Sequence, residues 1–126
     1  KIILKTHPNL DVDPSKYPSI NMIVTKEPLS KILLSCDIVY ASSVTSAAVD
    51  AYCAGKPVVT AINPNNLNLS PLRNFKDTFF VNTPEEISEA FNVICSVDYM
   101  PAYEKSFFTL DKHLPRWKKL ITELTI

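Results

Sequence analysis

Short apolar runs alternate with polar segments along the chain. The apolar runs occupy residues 2–4, 20–24, 37–41, 57–62 and 78–81. They are apolar along their length rather than alternating, which is typical of parallel strands covered on both faces of a sheet. The pattern therefore predicts about five strands, most of them parallel.

Segments with helical spacing of apolar residues lie between or after these strands. They cover residues 28–35, 44–54 and 84–97, followed by an amphipathic terminal helix from Leu114. Gly55 is expected at the C′ position of the second helix, and Thr83 as the N-cap of the third. Strands that alternate with helices indicate the α/β class, in a Rossmann-like, doubly wound arrangement with helices on both faces. The 126 residues are expected to form a single domain.

The composition excludes several function classes. Gly55 is the only glycine, so neither a G-x-G-x-x-G dinucleotide fingerprint nor a Walker A loop exists. Thirteen basic and thirteen acidic residues give zero net charge, which argues against electrostatically driven binding of nucleic acid. The three cysteines form no C-x-x-C pair, so a zinc knuckle is not expected. Each cysteine lies in an apolar stretch and is therefore expected to be buried. Three buried free thiols suggest a protein from a reducing compartment.

Polar residues follow several of the predicted strands. His7 comes after the first strand, Thr25 and Glu27 after the second, and the segment 42–46 after the third. In doubly wound sheets, ligands bind outside the carboxyl ends of the strands. These positions therefore form the candidate site.

The segment after the third strand places four hydroxyl side chains on a strand-to-helix turn. They belong to Ser42, Ser43, Thr45 and Ser46. The free N–H groups of a helix N-terminus bind anions, and small hydroxyl side chains let a phosphate approach and add donors. The turn therefore predicts a phosphate site, with plain N-capping by Ser43 as the alternative.

Two further polar residues fit such a site. The imidazole of His7 could donate to a phosphate or sugar oxygen, or it could be an ordinary surface histidine. The carboxylate of Asp50, one to two turns into the second helix, could accept from ribose hydroxyls, or it could simply be solvated.

Taken together, these segments resemble the C-terminal domain of GT-B-type glycosyltransferases of bacterial surface-polysaccharide synthesis. The similarity lies in Lys5-Thr6-His7-Pro8, in residues 28–39 and above all in residues 42–59, with Gly55-Lys56-Pro57-Val58 near the end. It covers roughly residues 1–100. The paired His-Pro and Ser-Ser elements also resemble those of bacterial sialyltransferases.

The resemblance implies a nucleotide-sugar donor site that needs no metal and no cofactor. In such a site His7 would contact the phosphate or ribose, the hydroxyls of residues 42–46 would hold the phosphate, and Asp50 would bind the ribose hydroxyls. Backbone near Thr25 to Glu27 would frame the base. The expected donor is a CMP-sugar or a UDP-sugar. Members of the family more often carry Glu at the position of Asp50.

The resemblance further implies that the chain is the C-terminal half of a longer enzyme in capsule or lipopolysaccharide synthesis. The catalytic residues would belong to the missing N-terminal domain, so this fragment alone is expected to be inactive. Its partners would be that domain, a nucleotide sugar, and a carbohydrate or lipid-linked acceptor. The expected location is the cytoplasm, at the inner face of the membrane, with no transmembrane segment.

Other interpretations stay open. The chain could be a non-catalytic, flavodoxin-like α/β interaction module, or half of a nucleotide-sugar epimerase. An epimerase needs additional acid/base carboxylates, and the strand ends offer only Glu27 and Asp50. The terminal helix is expected to pack on its own sheet or on the partner domain, with peripheral contact to an anionic membrane as the alternative.

Overall fold

The computed structural model describes residues 1–43, 45–99 and 113–124. Within these residues the strands are β1 (Ile2–Lys5), β2 (Met22–Thr25), β3 (Val39–Ser42), β4 (Val58–Ala61) and β5 (Thr78–Val81). The helices are α1 (Leu29–Ile32), α2 (Ala47–Cys53), α3 (Pro84–Ile94) and α4 (Pro115–Leu124). Two short 3-10 turns cover Pro14–Lys16 and Leu33–Ser35.

All pairs among the described strands are parallel. β1 pairs with β2, while β3, β4 and β5 form a three-stranded sheet with β4 at its centre. The predicted α/β class with five parallel strands is confirmed. Because the strands of each sheet run in the same direction, their carboxyl ends lie along one edge of that sheet. In the larger sheet, Ser42, Ala61 and Val81 share a register row at this edge.

Helices cover both faces of the three-stranded sheet. On one face, Val58 of β4 belongs to a core cluster with Tyr52 and its neighbours in α2. On the other face, Val59 belongs to a second cluster with Ala90 and Ile94 of α3. Val58 and Val59 are both fully buried, and burying a valine side chain stabilises the fold by about 1.5 to 3 kcal/mol. The central strand is apolar at successive positions because both of its faces are covered, as predicted.

The short helix α1 packs toward the larger sheet and borders a groove beside the smaller one. Leu29 and the adjoining Leu33 pack in the cluster that also holds α2 and β4. Ile32 borders a groove together with Ile3 of β1 and Ile23 of β2. The predicted segment 28–35 is therefore helical, although it is α-helical only to Ile32 and continues as a 3-10 turn.

Gly55 ends α2 as predicted. Its φ is 74°, in the left-handed region that glycine adopts without steric cost. The N–H of Gly55 donates to the Tyr52 carbonyl at 2.9 Å, and the N–H of Lys56 donates to the Ala51 carbonyl at 3.0 Å. This pair of bonds is a Schellman motif, which satisfies carbonyls that the helix end leaves free.

The observed boundaries of α2 and α3 agree only in part with the predicted ones. Thr83 is the N-cap of α3, and its Oγ1 accepts from the Glu86 N–H at 3.2 Å, as predicted. The helix ends at Ile94, three residues before the predicted end at Val97, and Val97 is fully exposed. A short helix is held mainly by packing of its apolar face, so it does not continue where that packing stops. The helix predicted from residue 44 begins at Ala47.

The segment 63–76, which lies between β4 and β5, is anchored in the core. Leu72 is fully buried in the cluster of α2 and β4. The Leu72 N–H donates to Ser70 Oγ at 3.2 Å, and Thr78 Oγ1 donates to the carbonyls of Leu72 and Phe75. The Phe75 ring lies edge-on to the Tyr52 ring, with 5.4 Å between the centroids. The loop is thus held against the α2 side of the sheet.

The terminal helix α4 is amphipathic, as predicted, but its apolar side is open to solvent. Trp117 is 61% exposed and Leu120 is 48% exposed. Within the described ranges no strand packs closely against this helix. The expected packing of the helix on its own sheet is therefore not found there.

Candidate functional site

His7 lies two residues beyond the end of β1 and is exposed. Its Nδ1 accepts a hydrogen bond from the backbone N–H of Asn9 at 3.2 Å. A neutral imidazole that accepts at Nδ1 carries its proton on Nε2. The local turn therefore leaves the Nε2–H of His7 as the donor that a ligand could use.

Thr25 and Glu27 lie at the carboxyl end of β2. Thr25 Oγ1 accepts from the Glu27 N–H at 3.1 Å, and the Glu27 carboxylate pairs with the Lys31 ammonium at 3.3 Å. Both residues border a shallow groove of about 250 Å³. The groove is lined by Ile3, Ile23, Thr25, Glu27, Lys31, Ile32 and Ser35. Three of these lining residues are isoleucines, and the other four are polar or charged.

The turn after β3 is held by the backbone of Ser42 and Ser43. The Ser43 N–H donates to the Ala61 carbonyl at 3.1 Å, which extends the β3–β4 ladder by one bond. The N–H and the hydroxyl of Thr45 both donate to the Ser42 carbonyl, at 3.3 and 3.1 Å. The hydroxyl proton of Thr45 is therefore used inside the turn, and only its oxygen lone pairs remain for a ligand.

Ser46, rather than Ser43, occupies the N-cap position of α2. Its φ of −65° and ψ of −16° are helical, and its side chain makes no capping hydrogen bond. The alternative in which Ser43 caps the helix is therefore wrong. In the part of the chain that the structure describes, the hydroxyls of Ser42, Ser43 and Ser46 make no hydrogen bond. Three hydroxyl donors thus remain available beside the start of a helix.

Asp50 lies one turn into α2, where its N–H donates to the Ser46 carbonyl at 2.9 Å. Its exposed side chain borders a groove of about 730 Å³ between α1 and α2. The groove is lined by Leu29, Ser30, Leu33, Leu34, Asp50, Cys53, Ala54 and Lys56. Partial burial and, second, the nearby Asp50 charge raise the pKa of the Cys53 thiol. The Asp50 side chain therefore borders the space between α1 and α2.

Two buried threonines near strand ends were missed by the sequence analysis as candidate residues. Thr6, directly after β1, is 4% exposed, and Thr60 of β4 is fully buried. Their hydroxyl oxygens have no hydrogen-bond partner in the described residues. A buried polar group without a partner costs about 1 to 3 kcal/mol. The sequence could have indicated Thr60, because it places a hydroxyl residue within a strand that is predicted to be covered on both faces.

The cysteines do not match the expectation of buried thiols. Cys36 is half-buried, and Cys53 and Cys95 are exposed. Their positions at the ends of elements explain this, because Cys53 is the last residue of α2 and Cys95 directly follows α3.

The structure distributes the predicted residues over the carboxyl edges of two sheets. His7 and Thr25 lie at the edge of the β1–β2 sheet, where the Thr6 N–H donates to the Thr25 carbonyl at 3.3 Å. The segment 42–46 lies at the edge of the β3–β4–β5 sheet. Among the described residues, no hydrogen bond or ion pair joins one group to the other. A ligand that used both groups would have to span the two edges itself.

Neither a metal centre nor a membrane span is found in the described ranges. No group of three or more His, Cys, Asp or Glu side chains there could hold a metal ion. No helix in those ranges is long and apolar enough to cross a bilayer.

Comparison with known proteins adds no relative. No protein-family model, curated protein or solved structure matches this chain.

Proposed function

We propose that the carboxyl-end edge of this domain binds the nucleotide part of a nucleotide-sugar donor. The domain would then be the donor-binding half of a glycosyltransferase in surface-carbohydrate synthesis, inactive without its N-terminal half. The observation that carries the proposal is the set of hydroxyls on Ser42, Ser43 and Ser46, which make no hydrogen bond to the described residues. Phosphate oxygens are the acceptors that such donors and a helix N-terminus favour.

The remaining residues of the turn support the same role. Thr45 fixes the turn through its two bonds to the Ser42 carbonyl. Because the turn is already restrained, it loses less conformational entropy when a phosphate binds. His7 offers the Nε2–H, because its Nδ1 is already occupied by the Asn9 N–H. In the proposed site it donates to a phosphate or ribose oxygen from the neighbouring edge.

The groove beside Thr25 and Glu27 suits the flat base of the nucleotide. Ile3, Ile23 and Ile32 supply apolar lining, and the other lining residues are polar or charged. Ligand sites commonly combine an apolar lining with a few polar groups that fix orientation. Asp50 would accept from the ribose hydroxyls only if these extend from the phosphate toward the groove beside α1, which its side chain borders.

The local charges favour a donor with a single phosphate, such as a CMP-sugar. Lys26 is paired with Asp11 at 2.7 Å, and Lys31 is paired with Glu27 at 3.3 Å. These cations at and after the end of β2 are therefore already balanced by carboxylates. A single phosphate needs less additional positive charge than a diphosphate.

The chemistry assigned to this domain is stabilisation of the leaving group. An acceptor hydroxyl forms a bond to the anomeric carbon, and the bond from that carbon to the phosphate oxygen breaks. The electron pair stays on the nucleotide phosphate, and a base of the N-terminal domain takes the proton of the acceptor hydroxyl. Hydroxyl donors and helix N–H groups aimed at the phosphate stabilise the charge that develops there.

Transfer is favoured over epimerisation by the surroundings of the two strand-end carboxylates. Glu27 is paired with Lys31, and Asp50 borders the other groove. An acid/base pair for epimerisation must act on one sugar from positions close to its reacting carbon. Carboxylates that border different grooves do not provide such a pair.

The proposal is tested by amide chemical shifts of the 126-residue chain during separate titrations with CMP, CDP, UDP and GDP. We expect shifts at residues 42–46 and His7, strongest for CMP. The Ser46→Ala variant should weaken binding by about ten- to 150-fold, because a hydrogen bond to a charged group contributes about 1.5 to 3 kcal/mol. Ser88→Ala on the exposed side of α3 is the matched control and should leave the affinity unchanged.

Two results would contradict the proposal. Absence of shifts at millimolar nucleotide would remove the case for a site preformed in this domain and would favour the interaction-module interpretation. Shifts confined to Leu34, Cys53 and Lys56 would place the ligand in the groove between α1 and α2 instead.

A further inference from the structure

Strand β1 has one backbone edge that no described strand covers. The N–H groups of Ile2 and Thr6 donate toward β2 at 3.1 and 3.3 Å. Because alternate residues of a strand in a parallel ladder bond the same neighbour, the backbone groups of Ile3 and Lys5 point away from β2. The N–H groups of these two residues make no hydrogen bond within the described part of the chain.

Strand β3 has a matching open edge. The N–H groups of Val39 and Ser43 donate toward β4 at 3.0 and 3.1 Å. The N–H groups of Tyr40 and Ser42 therefore point away from β4, and among the described residues they find no acceptor. A row of unpaired backbone groups of this kind is a template for another strand.

Both strands have the sequence of an interior strand and the exposure of an edge. Residues 2–4 and 39–41 are apolar at successive positions, which is typical of parallel strands that are covered on both faces. Ile2 is nevertheless 54% exposed and Tyr40 is 52% exposed, whereas Val59, the register partner of Tyr40, is fully buried. The sequences of β1 and β3 thus fit positions with a neighbour on each side.

The connections between strands indicate that the smaller sheet lies beside β3 rather than beside β5. β2 leads through α1 into β3, and β3 leads through α2 into β4. Leu29 and Leu33 pack in the same cluster as α2, so both connections use the same face. Parallel β-α-β connections are right-handed in about 98% of cases, so two connections on one face advance in the same direction.

We propose that one further strand, parallel with both neighbours, occupies the position between β1 and β3. Among the described strands, β1 and β3 neither pair nor lie side by side. With the added strand between β2-β1 and β3-β4-β5, the sheet acquires the common six-stranded order of doubly wound folds. The occupant is an extended, apolar peptide segment, because only the backbone of another strand satisfies both rows of N–H and C=O groups.

A second copy of the chain is a poorer occupant. It offers the same open edges rather than a spare strand, so it can cover one edge but cannot place a strand between β1 and β3 without giving up one of its own ladders. The inference follows from backbone pairing alone and does not rest on the nucleotide site. The added strand would nevertheless end between His7 and segment 42–46, because the carboxyl ends of parallel strands share one edge of a sheet.

Amide hydrogen exchange of the 126-residue chain tests the open edges directly. We expect the Tyr40 N–H to exchange at least about a hundredfold faster than the Ala41 N–H, which points to β4. The Lys5 N–H should exchange at least about tenfold faster than the Leu4 N–H, which points to β2.

A peptide that copies residues 56–62 is the probe for the added strand. It contains β4, which pairs in parallel on both of its edges. At millimolar peptide we expect the exchange of the Lys5 and Tyr40 N–H groups to slow together, by about tenfold or more. The same peptide with Val59→Pro is the matched control and should leave both rates unchanged, because proline lacks a ladder donor.

Two variants of the chain separate the open edge of β3 from its paired edge. Proline is tolerated in a strand where the missing N–H faces away from the ladder. Tyr40→Pro should therefore keep the circular dichroism of the parent chain and weaken the effect of the peptide on the Lys5 N–H. Ala41→Pro removes a donor to β4 and should lower the urea midpoint much further than Tyr40→Pro.

Three results would overturn the proposal. Slow exchange at Lys5 and Tyr40 in the free chain at every protein concentration would show that the chain covers these edges itself. Slow exchange only at high protein concentration would identify a second copy as the occupant. Protection by the peptide at one edge alone, or at neither, would show that no strand fits between β1 and β3.

Discussion

Gly55 is the position at which a single side chain most directly decides the local backbone. Its φ of 74° and the two bonds of the Schellman motif end α2 and lead the chain into β4. A Cβ atom in the left-handed region costs about 1 to 2 kcal/mol. We therefore expect Gly55→Ala to lower the free energy of unfolding by that amount, measured by urea unfolding followed by circular dichroism.

Two further variants make this residue-scale prediction specific. Gly55→Asn should cost less than Gly55→Ala, because asparagine tolerates the left-handed region. Ala54→Ser, at the preceding exposed position with φ −80°, should change stability by less than about 0.5 kcal/mol. Equal losses for Ala and Asn at position 55 would show that the conformation of the backbone is not the cause.

At the scale of elements, α2 has two separate groups of polar or reactive side chains on different parts of its surface. Hydroxyls that make no bond to described residues precede its first turn, while Asp50 and Cys53 border the groove toward α1. Partial desolvation and, second, the Asp50 charge raise the pKa of the exposed Cys53 thiol, so at a given pH less of it is thiolate. This coupling gives a test of where the Asp50 side chain lies.

We expect Asp50→Asn to make Cys53 react about two- to threefold faster with iodoacetamide near pH 8. Removing the negative charge lowers the thiol pKa and increases the thiolate, which is the reacting species. The rate is measured for each cysteine by mass spectrometry of its peptide. Cys95, in the turn after α3, is the internal control. An unchanged Cys53 rate would contradict the placement of Asp50 beside it.

The elements that the sequence predicts best are those fixed by neighbours in the chain. Gly55 and Thr83 end or begin a helix through bonds to residues at most four positions away. The start of α2 is different, because Thr45 is held by the Ser42 carbonyl and Ser43 is held by β4. That second contact joins residues distant in sequence, so the local pattern placed the helix start too early and left Ser43 open as an alternative cap.

The candidate site is less predictable than the fold for the same reason. Polar residues at strand ends identify the edge of each sheet, and the structure places them there. Whether His7 and Ser42 meet depends on how the two sheets lie, which is set by packing between residues distant in sequence. The buried hydroxyls of Thr6 and Thr60 likewise depend on packing from several elements. None of these contacts leaves a periodic pattern in the sequence from which it could be predicted.

For the whole molecule, the segment 63–76 connects the core to the candidate site. It leaves the sheet at the carboxyl end of β4 and returns through Leu72, which is fully buried beside Tyr52. The anchored part brings the chain back to the start of β5, where Thr78 holds the carbonyls of Leu72 and Phe75. The loop is therefore a structural part of the domain, and its anchor affects the stability of the whole fold.

We expect Leu72→Ala to lower the free energy of unfolding by about 2 to 5 kcal/mol, because it leaves a cavity in the core cluster. Leu69→Ala, at a 75% exposed position in the same loop, should change it by less than about 0.5 kcal/mol. Both values come from urea unfolding followed by circular dichroism. Domains of this kind are stable by only about 5 to 15 kcal/mol, so the first change is a large fraction of the total. Similar costs for the two variants would mean that the loop is not anchored at Leu72.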